Sequence, residues 1–125
     1  MKLLDLNLLI YAVNEDTAHH KAAKSWLETQ FKGTESIGIP WIVILGFLRI
    51  MTNGKIFPNP LTEEAALNLI DAWLQHPLMQ TPEPGLNHWS LVQELILETG
   101  TAGNLTSDIH LAAIAIEHGA KLYTL

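Results

Sequence analysis

The stretch Lys2-Leu3-Leu4-Asp5-Leu6-Asn7-Leu8-Leu9-Ile10-Tyr11-Ala12-Val13 decides how the chain is to be read. Lys2 to Asp5 is short and apolar enough to be a strand buried on both faces, the habit of parallel sheets covered by helices. Asn7 to Val13 predicts a helix directly after it. A strand running straight into a helix leaves Asp5 at the strand's carboxyl end, where open parallel sheets keep their ligand sites. On this segment alone the carboxylate has two readings, a cap on the helix that follows or part of a site.

Working outward, the same alternation recurs. Thr17 is read as the N-cap of a second helix carrying Ala22, Ala23, Trp26, Leu27 and Phe31 at helical spacing, with Gly33 beyond its end. Ser36 to Ile39 is a second short strand, and Pro40 opens a helix over Trp41 to Met51. There the β-branched run Ile42-Val43-Ile44 would suit a buried strand equally well, and helix is the reading taken. Thr62, followed by Glu63 and Glu64, starts another helix that Pro77 stops, because acidic residues favour the positive end of a helix dipole. Leu78 to Thr81 reads as a third strand. Further helices run from about Asn87 to Gly100 and from Thr106 or Ser107 to Gly119, and Ala120 to Leu125 is the last strand. Strands alternating with helices, under the right-handed crossover rule, predict an α/β domain with a short, mostly parallel sheet.

The 125 residues carry 7 Lys+Arg against 13 Asp+Glu, a net charge of −6, and are 48% hydrophobic and 16% charged. That is one domain's worth of chain with ample core material, and it is too apolar for a disordered segment. The acidic balance excludes a broad basic face for holding nucleic acid, a term that scales with the phosphates neutralised. It leaves open a nuclease whose carboxylates bind cations, because the cations invert the local sign. With no cysteine, disulfides, thiolate zinc sites and thiol nucleophiles are excluded, and a cytoplasmic location is expected. The apolar run Trp41 to Leu48 falls well short of the roughly 20 residues that cross a bilayer, so no membrane association is expected. Asp5 interrupts the segment a secretion signal would need.

A second carboxylate, Asp108, stands in the first turn of the helix beginning Thr106-Ser107-Asp108-Ile109-His110, after Gly103-Asn104. It too is either a helix-start acid or part of a site, since free amides and the dipole favour its anion. If the two distant aspartates converge, a divalent cation is within reach, because magnesium commonly takes only one or two protein carboxylates.

Four blocks taken together resemble a known family. Leu4-Asp5-Leu6-Asn7-Leu8-Leu9, the segment Pro40 to Asn53, Gly103-Asn104-Leu105-Thr106-Ser107-Asp108-Ile109-His110-Leu111-Ala112-Ala113 and Glu117-His118-Gly119 are similar, in order and spacing, to the PIN-domain toxin ribonucleases of VapBC toxin–antitoxin systems. The resemblance implies a three-layer α/β/α PIN-like domain over residues 1–125 that cleaves RNA with Mg²⁺ or Mn²⁺ and is inhibited by a cognate antitoxin. It also implies a homodimer. Carried over by position, Asp5 and Asp108 are the catalytic metal ligands, Asn7 and Asn104 are polar groups beside them, and Thr124 is a hydroxyl near the site.

The chain departs from the family at two places. Gly46 stands where the family usually has Glu, and the pattern normally continues past the last strand into a further acid and a Phe-containing segment, which is expected beyond Leu125. Glycine inside a helix costs roughly 0.5–1 kcal/mol relative to alanine. Gly46 is therefore either a packing glycine, a natural loss or a deliberate change. With a ligand gone, impaired hydrolysis is expected; the alternative is a catalytically inactive PIN-like protein that sequesters antitoxin or RNA. A flavodoxin-like small-ligand module is disfavoured, since no Gly-rich loop follows the first strand.

Arg49, the one arginine, either contacts a phosphate or an antitoxin carboxylate or pairs with an acid near its helix end. His19 and His20 read as a solvated pair, and His110 and His118 as structural or surface groups. Trp26, Trp41, Trp73 and Trp89 read as core or interface anchors.

Overall fold

The computed structural model describes residues 1–124, Asn104 by its backbone alone. Among these residues the strands are β1 (Lys2–Leu4), β2 (Ile37–Gly38), β3 (Met79–Gln80) and β4 (Lys121–Tyr123). The helices are α1 (Leu6–Val13), α2 (His20–Phe31), α3 (Trp41–Met51), α4 (Glu63–Gln75), α5 (His88–Thr99) and α6 (Thr106–Glu117). Every strand pairing is parallel, and the sheet order is β3-β2-β1-β4. The expected α/β class and three-layer PIN-like arrangement are found. Leu125, the expected end of the last strand, lies outside the described residues.

The topology makes β1 the pivot. Lys2 pairs with Ile37 on one side and Lys121 on the other, and Leu3 pairs with Gly38 and Leu122. The chain steps from β1 through β2 to β3 in one direction, then returns through α5 and α6 to place β4 on the opposite flank of β1. Strand order therefore reverses at β1, and Leu3 and Leu4 on it are fully buried.

Helix α3 shows why the β-branched run did not become a strand. Val43, Ile44, Phe47 and Met51 recur at helical spacing and are all buried, with Pro40 as the N-cap. Phe47 meets Trp73 of α4 edge-on, with ring centroids 4.9 Å apart. Each such side chain contributes about 1.5–3 kcal/mol through the apolar surface it removes from water. Helix α6 is buried on two faces: Leu111, Ile114 and Ala115 join the main core, while Ile109 and Ala113 form a smaller cluster with Val92 of α5.

Local chemistry sets most helix ends. Thr62 caps α4, its hydroxyl accepting from Ala65 N at 3.1 Å, and Gly100 ends α5 in the left-handed region at φ 69°. Thr17, expected to cap α2, does not. Its hydroxyl accepts from His19 N at 3.3 Å inside the preceding turn, and the helix starts later, from an N-cap at His19 without a side-chain bond. No described helix is long and apolar enough to cross a membrane.

Candidate active site

Because Asp5 directly follows the central strand, its position is fixed from several directions. Its N–H donates to Tyr123 O at 3.0 Å. Its Oδ1 accepts from Leu6 N at 2.6 Å, and its Oδ2 accepts from the Thr124 hydroxyl at 2.8 Å. The two readings of Asp5 are thus not exclusive: it caps α1, and it also borders a cavity. That cavity, about 200 Å³, is lined by Asp5, Leu6 and Asn7 from the β1–α1 junction, Ile42, Val43, Gly46 and Arg49 from α3, and Ser107, Asp108 and Leu111 from α6. The two aspartates, far apart in the chain, border one space.

Gly46 is buried on the cavity wall. A Cβ at this position would lie 3.0 Å from Leu6 Cδ2, so α3 and α1 approach closely there. The neighbour is the far end of a leucine side chain, which must give by a few tenths of an ångström to admit a larger residue. Arg49, exposed in the last turn of α3, also borders the cavity. It makes no ion pair with a carboxylate among the described residues.

A family model described as a PIN domain matches residues 2–125. The chain belongs to the PIN-domain family. This PIN domain is 38% identical over 122 residues to Ribonuclease VapC37 of Mycobacterium tuberculosis, covering 98% of this chain and 85% of that protein. To Ribonuclease VapC33 of the same organism it is 33% identical over 124 residues, covering 99% and 87%. Those relatives place it among the VapC PIN-domain toxin ribonucleases. In fold it is similar to VapC20 of M. tuberculosis, a Sarcin-Ricin loop cleaving toxin, with a TM-score of 0.73 at 12% identity, covering 100% of this chain and 89% of that one. It is also similar to VapBC2 of Rickettsia felis, solved bound to a DNA fragment from its promoter, with a TM-score of 0.68 at 21% identity and coverage of 98% and 86%.

The donors around the cavity of this PIN domain are hard oxygens, and they suit a magnesium-class cation more than a soft metal. Asp5 and Asp108 are the acids bordering it, and no group of three His, Asp or Glu disposed to hold a metal occurs among the described residues. The fit is to an ion that keeps most of its water. Asn7 is exposed and borders the cavity, and Thr124 steadies Asp5. The side chain of Asn104 lies outside what is described.

A polar chain beside the cavity is not visible in the sequence. Glu117 of α6 bonds the Nδ1 of His88 on α5, and the Nε2 of His88 meets the Nδ1 of His110 at 2.8 Å. Glu117 also accepts from Gly85 N at 2.6 Å. The His88 hydrogen bond holds the Glu117 carboxyl below its ordinary value, and burial, aided by His88, lowers that of His110. His110 and Glu117 stand seven residues apart on one helix, a spacing open to inspection. Nothing in the sequence tells that His88 of another helix joins them. The expected solvated pair is also more anchored than its polarity suggested: His20 Nδ1 bonds Tyr11 O at 3.0 Å, and His19 leans on the Tyr11 ring.

Proposed function

We propose that this chain is the toxin of a type II toxin–antitoxin system, a metal-dependent endoribonuclease in which Asp5 and Asp108 hold Mg²⁺ or Mn²⁺. The observation that carries the reading is the single cavity bordered by both acids, at the carboxyl end of the strand where sheet order reverses. Relatives named as VapC ribonucleases support it. A cation bound there would supply an activated water and offset charge on the phosphodiester.

The protein's own residues then have separate tasks. Asp5 is oriented by Leu6 N and the Thr124 hydroxyl, so its remaining lone pairs face the cavity without a conformational search. Asp108 contributes its carboxylate from the first turn of α6. Arg49 offers its fork of donors to a non-bridging phosphate oxygen. Asn7 serves as a polar contact for ion-bound water or RNA.

The chain as it stands is impaired, because Gly46 brings no carboxylate to the α3 wall. The proposed partners are an RNA substrate, a cognate antitoxin and a second copy of the chain, all in the cytoplasm. A second reading follows from the same glycine: a silent PIN-like protein that binds antitoxin or RNA without cutting. Cleavage of end-labelled single-stranded RNA in Mn²⁺ separates the two. The unmodified chain should cut weakly, Gly46→Glu at least about tenfold faster, and Gly46→Glu combined with Asp5→Asn not at all. A folded Gly46→Glu variant that stays inert would favour the silent binder.

A further inference from the structure

Beside the acidic cavity lies a second cleft of about 330 Å³, between α3, α5 and the start of α6. Ile42 and Ser107 border both spaces, so the two are adjacent. Val92 lies at the base of the cleft, Trp89 stands on its rim with 67% of its surface exposed, and the imidazoles of His88 and His110 complete it.

We propose that this cleft seats one unpaired base of the RNA strand whose phosphodiester lies at Asp5 and Asp108, with the base face on Trp89 and its edge toward His110. The inference rests on the ribonuclease reading above. Adjacency is the first argument: a strand with a phosphate in the acidic cavity would have a neighbouring nucleotide within reach of the shared Ile42–Ser107 wall. Composition is the second. A nucleobase has an apolar face and a polar edge, and the cleft pairs an exposed indole with two imidazoles, whereas a dry protein contact would leave the His110 Nε2 without a partner among the described residues. Charge is the third. A chain of net charge −6 neutralises few phosphates, so contacts to bases must carry a larger share of RNA affinity.

The hydrogen-bonded chain leaves one ring nitrogen for the base edge. Glu117 bonds the Nδ1 of His88, and the Nε2 of His88 meets the Nδ1 of His110. His110 Nε2 bonds no described residue, so it is the imidazole nitrogen left to meet the polar edge of a base. Adenine has a larger π-face than uracil and stacks more strongly on Trp89, so it is the favoured base.

Equilibrium binding of fluorescently labelled oligo(A) and oligo(U) in Mg²⁺ tests the proposal, with gel filtration of each variant alongside. The unmodified protein should prefer oligo(A). Trp89→Ala should weaken oligo(A) binding about tenfold and erase the preference for it, Trp89→Phe should stay within about twofold of the unmodified protein, and His110→Ala should weaken binding of both strands. Unchanged oligo(A) affinity in Trp89→Ala overturns the base cleft and leaves the ribonuclease reading untouched. Loss of RNA binding only through dissociation of a dimer makes this face a protein interface and also overturns it. Failure of the unmodified protein to bind either strand counts against the ribonuclease reading itself and takes the cleft with it.

Discussion

Asp5 and Asp108 border the same cavity from unequal foundations. Asp5 follows the central strand, behind two fully buried leucines, and both of its carboxylate oxygens are already engaged. Asp108 is exposed in the first turn of α6, just after a single 3₁₀ turn at Gly103–Leu105, on a helix that starts without a side-chain cap. The small Val92–Ile109–Ala113 cluster and the Glu117–His88–His110 chain tie that helix to α5. One acid is fixed by the sheet, and the other is carried on an element with fewer constraints near its start. In the proposed site one acid is then a rigid reference and the other adjustable, and local opening is expected to begin on the adjustable side.

Stability measurements give the sharpest contrast. Phe47→Ala, at the centre of the main core, should cost about 3–5 kcal/mol in urea unfolding. Val92→Ala, in the smaller cluster, should cost about 1.5 kcal/mol from the methyl groups lost. Equal costs would mean that the two clusters behave as one. Thr124→Ala removes the hydroxyl from Asp5 and should weaken Mn²⁺ binding roughly tenfold with little change in unfolding, while Thr124→Ser should restore it. If Thr124→Ala binds the ion normally, the extra bond on the Asp5 side has no bearing on the site. Thr62→Ala, at a helix cap remote from both acids, should lose about 1 kcal/mol and leave Mn²⁺ binding alone.

The polar chain on the Asp108 side should respond to pH. His110 is held below its ordinary value of 6.5, so as pH falls through that value the unfolded chain takes up a proton first and the folded state loses stability. Glu117 is held below its ordinary value of 4.5. Its contribution is present above that pH and disappears as pH falls through the lower folded value. The urea midpoint should therefore decline below about pH 6.5 and again below about 4.5, with the second decline reduced in Glu117→Gln. An acid limb identical in Glu117→Gln would show that the chain contributes nothing to holding α5 on α6.

The unequal foundations also explain what could be read from the residues. The β1–α1 junction, the Thr62 cap and the Gly100 stop are signals within a turn of chain, so their elements appear close to the expected bounds. Alternation of strands and helices then gave the parallel sheet and the place of Asp5. Thr17 misled because its hydroxyl found a nearer amide, a competition between two local bonds that composition does not rank. His88 meeting His110, and the cleft between them, depend on how α5 is rotated against α6, which no spacing within either helix records. Gly46 was left with three readings. Its close approach to Leu6 gives the packing reading a physical basis without explaining the missing carboxylate.

The most direct test of a shared ion is calorimetric titration of Mn²⁺ into the unmodified protein, Asp5→Asn and Asp108→Asn, each checked for folding by circular dichroism. Saturable binding in the unmodified protein, lost in both variants, is the expected result. Binding that survives intact in either folded variant would show that the two carboxylates do not hold one cation together.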